Sequence, residues 1–269
     1  MIKKFLIVSC LILTVFIVFS GQRAWVNSQE AIHQSSTTND LDTVSESDET
    51  NDSNLDTEKN DSFVTLIANQ PEKAQKMWLE NQQNDQPVDI TLVASESALS
   101  SSQNWTTILE EELTSLYNGV KLNFTVIQHP DEGTSQDWFE AFEEGTYDFD
   151  DQEIVLYELP TLRDNGVLST DDQVVYMNGF LEEFQSLLPE SNLFVLPSQP
   201  IYQATVYPEQ VKAVRDAVED FGFTYLDHWT EWPSSDNMEL EDYLTEDKDP
   251  NSLGHTTWGT YLVNYFSAN

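Results

Sequence analysis

The chain has 269 residues, 48 of them Asp or Glu against 11 Lys or Arg, for a formal net charge of -37 at pH 7. That balance excludes a nucleic-acid partner, whose phosphates need a basic face, and sets the chain against anionic lipid headgroups. The single cysteine, Cys10, excludes an intrachain disulfide; Leu11, Ile12 and Leu13 follow it, which makes it a poor lipid-attachment site.

From the N-terminus, Lys3 and Lys4 precede an apolar run over 5–19, and Ser20 and Gly21 follow it. This is the form of a secretory signal. The run is short beside the roughly 20 residues of a spanning helix. Residues 1–27 are therefore expected to be a signal peptide or an N-terminal membrane anchor. In either case the rest of the chain lies on the extracellular side, touching the membrane only through this segment if it is uncut. Residues 28–61 are rich in Ser, Thr, Asn, Asp and Glu and bury too little apolar surface to offset ordering entropy. They are expected to form a disordered acidic spacer, leaving one domain over 62–269.

The domain opens with Phe63, Leu66, Ile67, Ala74, Met77 and Trp78 at helical spacing, interrupted by Pro71, so two short helices are expected to pack onto the rest of the domain. Strands and helices then alternate. Residues 89–94 (DITLVA) read as a strand, and Trp105, Ile108, Leu109, Leu113 and Leu116 as a helix. Residues 120–127 alternate as a strand with one wetter face. Trp138, Phe139 and Phe142 mark a short helix, and 153–159 (EIVLYEL) a buried strand. A helix over 174–188, a strand over 192–197, a helix over 209–221, a strand over 223–226 and a helix over 258–266 complete the chain. Strands separated by helices imply parallel pairing: a three-layer α/β/α sandwich on a five-stranded parallel sheet, flavodoxin-like, with its site at the carboxyl ends of the strands.

Polar segments fall where that rule directs attention. Ser95-Glu96-Ser97 follows the first strand, His129 to Ser135 the second, Pro160 to Gly166 the third, and Asp227-His228-Trp229 the fifth. Near the C-terminus comes DKDPNSLGH, residues 247–255. No glycine-rich phosphate loop, G-x-S-x-G elbow or metal-spaced Cys/His pair is present, so no cofactor or metal is expected. Serine needs a neighbouring base to act as a nucleophile. His33 falls in the spacer, which leaves His129, His228 and His255. Trp229 and Trp232, in HWTEWP, suit either a sugar-stacking platform or core closure.

This ordered series resembles the SGNH (GDSL-type) hydrolase family from about residue 88 to the end. SES at 95–97 resembles its GDS triplet, Gly133 in EGTSQDWF its second block, EIVLYELPTLRDNG its third, and PNSLGH its last. The resemblance implies a bacterial serine esterase acting on O-acyl, above all O-acetyl, groups of cell-surface or exported polysaccharide, or on another small ester. Ser97 is then the nucleophile, with Gly133 and Asn165 at the oxyanion. The departures are equally plain. Ser95 replaces a glycine, and a strict overlay puts Leu162 at the oxyanion asparagine, three residues before Asn165. Aligning Pro250-Asn251 puts Asp249 where the family carries its histidine and Glu246 at its aspartate. His255 is the expected base, oriented by Asp247 or Asp249, with His228 and His129 as alternatives. The second reading is a catalytically degenerate module of the same fold that binds glycan or scaffolds at the cell surface.

Overall fold

A computed structural model describes residues 62–129, 133–147, 149 and 152–268. The expected leader and spacer, 1–61, lie outside the described residues. A helical turn over 62–66 and α1 (Glu72–Gln83) flank Pro71, which serves as the N-cap of α1. Then follow β1 (Val88–Ala94), a 3-10 turn (Ser97–Leu99), α2 (Trp105–Leu116), β2 (Leu122–Gln128), α3 (Ser135–Glu143) and β3 (Ile154–Glu158). After these come α4 (Thr161–Asp164), α5 (Thr170–Leu187), β4 (Asn192–Leu196), α6 (Tyr207–Asp220) and β5 (Thr224–Tyr225). Two 3-10 segments (His228–Glu231 and Met238–Tyr243) lead to α7 (Ser252–Ser267).

The five strands are parallel, in the order β2-β1-β3-β4-β5. The central strands β3 and β4 are buried throughout, as their continuous apolar runs require. β2 is an edge strand and alternates, which accounts for its wetter face. Side chains of successive strand residues point to opposite faces, and the core divides accordingly. Ile90, Leu92, Ile154, Leu156, Phe194 and Leu196 pack with Trp105, Leu109, Trp258 and Leu262 of α2 and α7. Val93, Val155, Tyr157, Leu193 and Val195 pack on the other face with Trp138, Phe180, Phe184 and Val214 of α3, α5 and α6.

The N-terminal segment completes the first of these layers. Phe63, Ile67 and Trp78 are fully packed there, and Phe63 meets Tyr117 edge-on with ring centroids 5.7 Å apart. The Trp78 indole donates to Gln70 Oε1 (2.7 Å), the Gln70 amide to the Tyr117 hydroxyl (3.1 Å), and that hydroxyl to the Phe266 carbonyl (2.5 Å). Buried polar groups are thus satisfied in series, tying α1 to the last helix.

The chain winds outward from β1 in both directions, so β1 has β2 on one side and β3 on the other. In open parallel sheets a crevice forms at the carboxyl ends beside such a reversal. Ser95–Ser97, His129, Pro160 and Ser198–Gln199 leave their strands there and line one cleft of about 300 Å³.

Candidate active site

Ser97 is the first residue of the 3-10 turn after β1 and is buried. The turn hangs from Glu158, the last residue of β3. Its carboxylate accepts from both the N–H and the hydroxyl of Ser95 at 2.8 Å, and Ser95 Oγ in turn accepts from the Ala98 N–H at 3.2 Å. A glycine in place of Ser95 would leave half of this anchor unmade. Glu158 is completely buried, and burial raises its carboxyl to about 7, with the two Ser95 bonds opposing. The only sign of it in the sequence is one acid inside an apolar strand.

The Ser97 hydroxyl donates to Asp249 Oδ1 at 2.5 Å. Two elements bring these distant residues together. Leu244 and Pro250 form an antiparallel bridge, and the Thr245 N–H donates to the Asp249 carbonyl (2.8 Å), closing a tight loop. Asn251 caps α7 directly afterwards, accepting from Leu253 and Gly254 N–H, while its amide donates to the Asp242 and Leu244 carbonyls. Between the two aspartates Lys248 adopts φ +71°, a left-handed conformation costly for a side-chain-bearing residue. Asp247 is exposed at the cleft rim.

Gln199, fully buried after β4, clamps the pair. Its amide donates to Ser97 Oγ (3.0 Å) and to the Lys248 carbonyl (3.1 Å). Nothing local in the sequence marks it, because Ser198-Gln199-Pro200 carries no signature beyond its place at a strand end.

The histidines are held elsewhere. His255, in the first turn of α7, is fully buried; neither ring nitrogen has a hydrogen-bond partner among the described residues, and it does not line the cleft. Burial lowers it to about 4 although the Asp249 charge pulls the other way, so the ring is neutral. Hydrogen bonding thus joins Ser97 to Asp249 and not to His255, the expected base. His228 stacks on Trp258 at 4.1 Å and donates from Nε2 to the Pro197 carbonyl (2.8 Å); burial lowers it to about 3. It packs the core. His129 lines the cleft and gives its Nε2 proton to the Glu158 carbonyl (2.6 Å), which leaves Nδ1 an acceptor without a partner among the described residues.

Of the expected oxyanion groups, Gly133 lines the cleft. Asn165 does not: it is exposed at the end of α4, where Gly166 at φ +80° turns the chain away, and Leu162 faces the cleft instead. The side-chain amide bonded to the serine comes from Gln199, just after β4. Trp232 closes the core, while Trp229 remains half-buried.

No family model and no curated protein matches the chain. Solved structures do. An acetylxylan esterase from Geobacillus stearothermophilus superposes with a TM-score of 0.54 at 10% identity, over 66% of this chain and 94% of that one. A GDSL-like lipase from Parabacteroides merdae gives 0.52 at 10%, over 68% and 96%. A lipolytic protein of the G-D-S-L family from Desulfitobacterium hafniense gives 0.50 at 14%, over 66% and 99%. The described residues therefore have the fold of the SGNH (GDSL-type) hydrolases, in a sequence far diverged from those solved. Within that fold, the serine turn and the C-terminal loop meet, with an aspartate at the meeting point.

Proposed function

We propose that the cleft is the active site of a serine esterase worked by a Ser97–Asp249 pair, removing O-acyl groups, above all acetyl, from cell-surface or exported polysaccharide. The observation that carries this reading is the 2.5 Å hydrogen bond from the Ser97 hydroxyl to Asp249 at the carboxyl edge of the sheet. A cleft of about 300 Å³ suits a small acyl group. The acetylxylan esterase among the structural relatives is consistent with an acylated carbohydrate. Export, expected from residues 1–27, brings the enzyme to such a substrate.

In this mechanism Ser97 Oγ attacks the ester carbonyl carbon as its proton passes to Asp249. The carbonyl electrons move onto the oxygen, which the Ser97 and Gly133 N–H groups and the Gln199 amide receive. Collapse expels the sugar oxygen, which takes the proton from Asp249 and leaves an acyl-serine. Water then attacks the acyl-serine as Asp249 takes one of its protons; the bond to Ser97 Oγ breaks, Asp249 returns that proton to Oγ, and the carboxylic acid leaves. A carboxylate is a weaker base than an imidazole, so turnover is slow beside a histidine-based triad.

A second reading, glycan binding without turnover, is favoured by the way Ser97 Oγ is held on both sides, donating to Asp249 and accepting from Gln199. Hydrolysis of p-nitrophenyl acetate and of acetylated xylo-oligosaccharides separates the two. Turnover is expected in the wild type and is expected to fall about a hundredfold or more in Ser97→Ala and Asp249→Asn. Turnover retained by Ser97→Ala would end the esterase reading; none in the wild type, with oligosaccharide binding intact, would establish the second.

A further inference from the structure

The loop between β4 and α6 borders two concavities. Gln199 and Ile201 line the cleft, while Tyr202 and Gln203, the next residues, line a separate open groove of about 760 Å³ that continues along α6, β5 and the first 3-10 segment. That volume is within the usual range of ligand sites, about 300–1,000 Å³.

Its walls are organised. Trp229 is fixed by an indole N–H bond to the Ser198 carbonyl (2.8 Å) and by an edge contact with Tyr207, centroids 5.3 Å apart, yet stays half-exposed on the groove. Gln203 holds φ +59°, and its N–H donates to the Ser235 carbonyl (2.8 Å) across the groove mouth. Such strained non-glycine residues concentrate at ligand sites. The Tyr225 hydroxyl, buried in the groove wall, has no hydrogen-bond partner among the described residues.

The two cations of the groove are matched, and its remaining charge, Asp236, accepts from the Ser234 hydroxyl (2.6 Å). Arg215 pairs with Asp227 (3.1 Å) and Lys212 with Asp216 (2.6 Å), so no cation here awaits an anionic ligand. Half-exposed aromatic rings beside neutral or internally paired polar groups suit a ligand with apolar faces and hydroxyl rims.

We propose that this groove binds a neutral polysaccharide chain, its sugar rings stacking on Trp229 and Tyr202, and that the shared loop leads the chain to Ser97. The inference rests on the esterase reading only for its direction toward Ser97; binding itself does not require turnover. The test uses the full-length protein and three neutral oligosaccharides that carry no O-acyl ester: xylohexaose, cellohexaose and fully N-acetylated chitohexaose. Titration followed by tryptophan fluorescence and calorimetry is expected to give a Kd of about 1 mM or tighter for at least one of them. Trp229→Ala and Tyr202→Ala are each expected to weaken it about tenfold, and Ser97→Ala to leave it unchanged. Tyr202 is half-buried and touches the core as well as the groove, so circular dichroism confirms the fold of each variant before titration. No binding to any hexasaccharide, or binding indifferent to Tyr202→Ala, overturns the proposal. Esterase activity on p-nitrophenyl acetate, measured alongside, shows separately whether the Ser97 mechanism stands.

Discussion

Ser97 and Asp249 lie 152 positions apart, yet the Ser97 hydroxyl donates to Asp249 Oδ1 at 2.5 Å. Both are marked by their neighbours, Ser97 by the SES triplet after the first strand and Asp249 by Pro250-Asn251, which fixes the position at which a histidine is expected. Gln199 has no such marker, and its role depends on where β4 ends. His255 is the instructive case. It is close enough for the Asp249 charge to act on it, yet both nitrogens are buried without partners among the described residues. An unsatisfied buried polar group costs about 1–3 kcal/mol. His255→Leu is therefore expected to raise Tm by several degrees and to leave ester hydrolysis within about twofold of wild type. A collapse of activity matching that of Ser97→Ala would instead make His255 the base.

At the scale of elements, the start of α7 sets the geometry of Asp249. Gly254 is necessary there because a Cβ would stand 2.5 Å from the Tyr243 carbonyl oxygen and 2.9 Å from the Trp232 ring. The first contact is with backbone and cannot be relieved by a rotamer change. Gly254→Ala should thus shift the helix start and the 244–250 loop, costing about 1–3 kcal/mol by urea unfolding and lowering kcat more than it raises KM. Asn251→Ala should cost about 1 kcal/mol through the lost cap, and more if the Asp242 and Leu244 carbonyls are left unpaired. If both variants keep full activity, the loop does not depend on the helix for its shape. The elements themselves were largely legible. The five strands and the long helices follow hydrophobic runs and periodicity, and the Pro71 break is real. The expected helix over 258–266 begins six residues earlier, at Ser252, because its first turn is polar and the cap rather than periodicity defines it. The 3-10 segments after β5 were not legible, since residues fixed by Trp229, Trp232 and Leu240 contacts have no period to read.

Across the whole molecule, buried titratable groups of opposite sense set how stability varies with pH. His129 and His255 are lowered to about 4 and His228 to about 3, all mainly by burial. Each stays neutral in the fold while the unfolded chain binds a proton below about 6.5. Their contribution is present above that pH and is lost as pH falls toward 4. Glu158 is raised to about 7 and Asp164 to about 6, again chiefly by burial. These hold protons that the unfolded chain releases, so their contribution is full below about 4 and disappears as pH rises through 6 and 7. Between pH 4.5 and 6 the three histidines outnumber the two acids, and stability rises with pH. Above 6.5 the protons still taken up by the unfolded histidines about offset those held by Glu158, and stability levels off. Thermal unfolding across pH 4.5–8.5 is expected to show Tm rising from pH 4.5 to about 7 and levelling off above it. Glu158→Gln tests the alkaline side, because an amide can serve both Ser95 bonds without ionising. Relative to wild type, this variant should gain up to about 3 kcal/mol at pH 8.5 and little at pH 5. Equal gains at both pH values would mean that Glu158 is not carrying a proton in the folded state near neutrality, and that the serine turn hangs from a charged carboxylate.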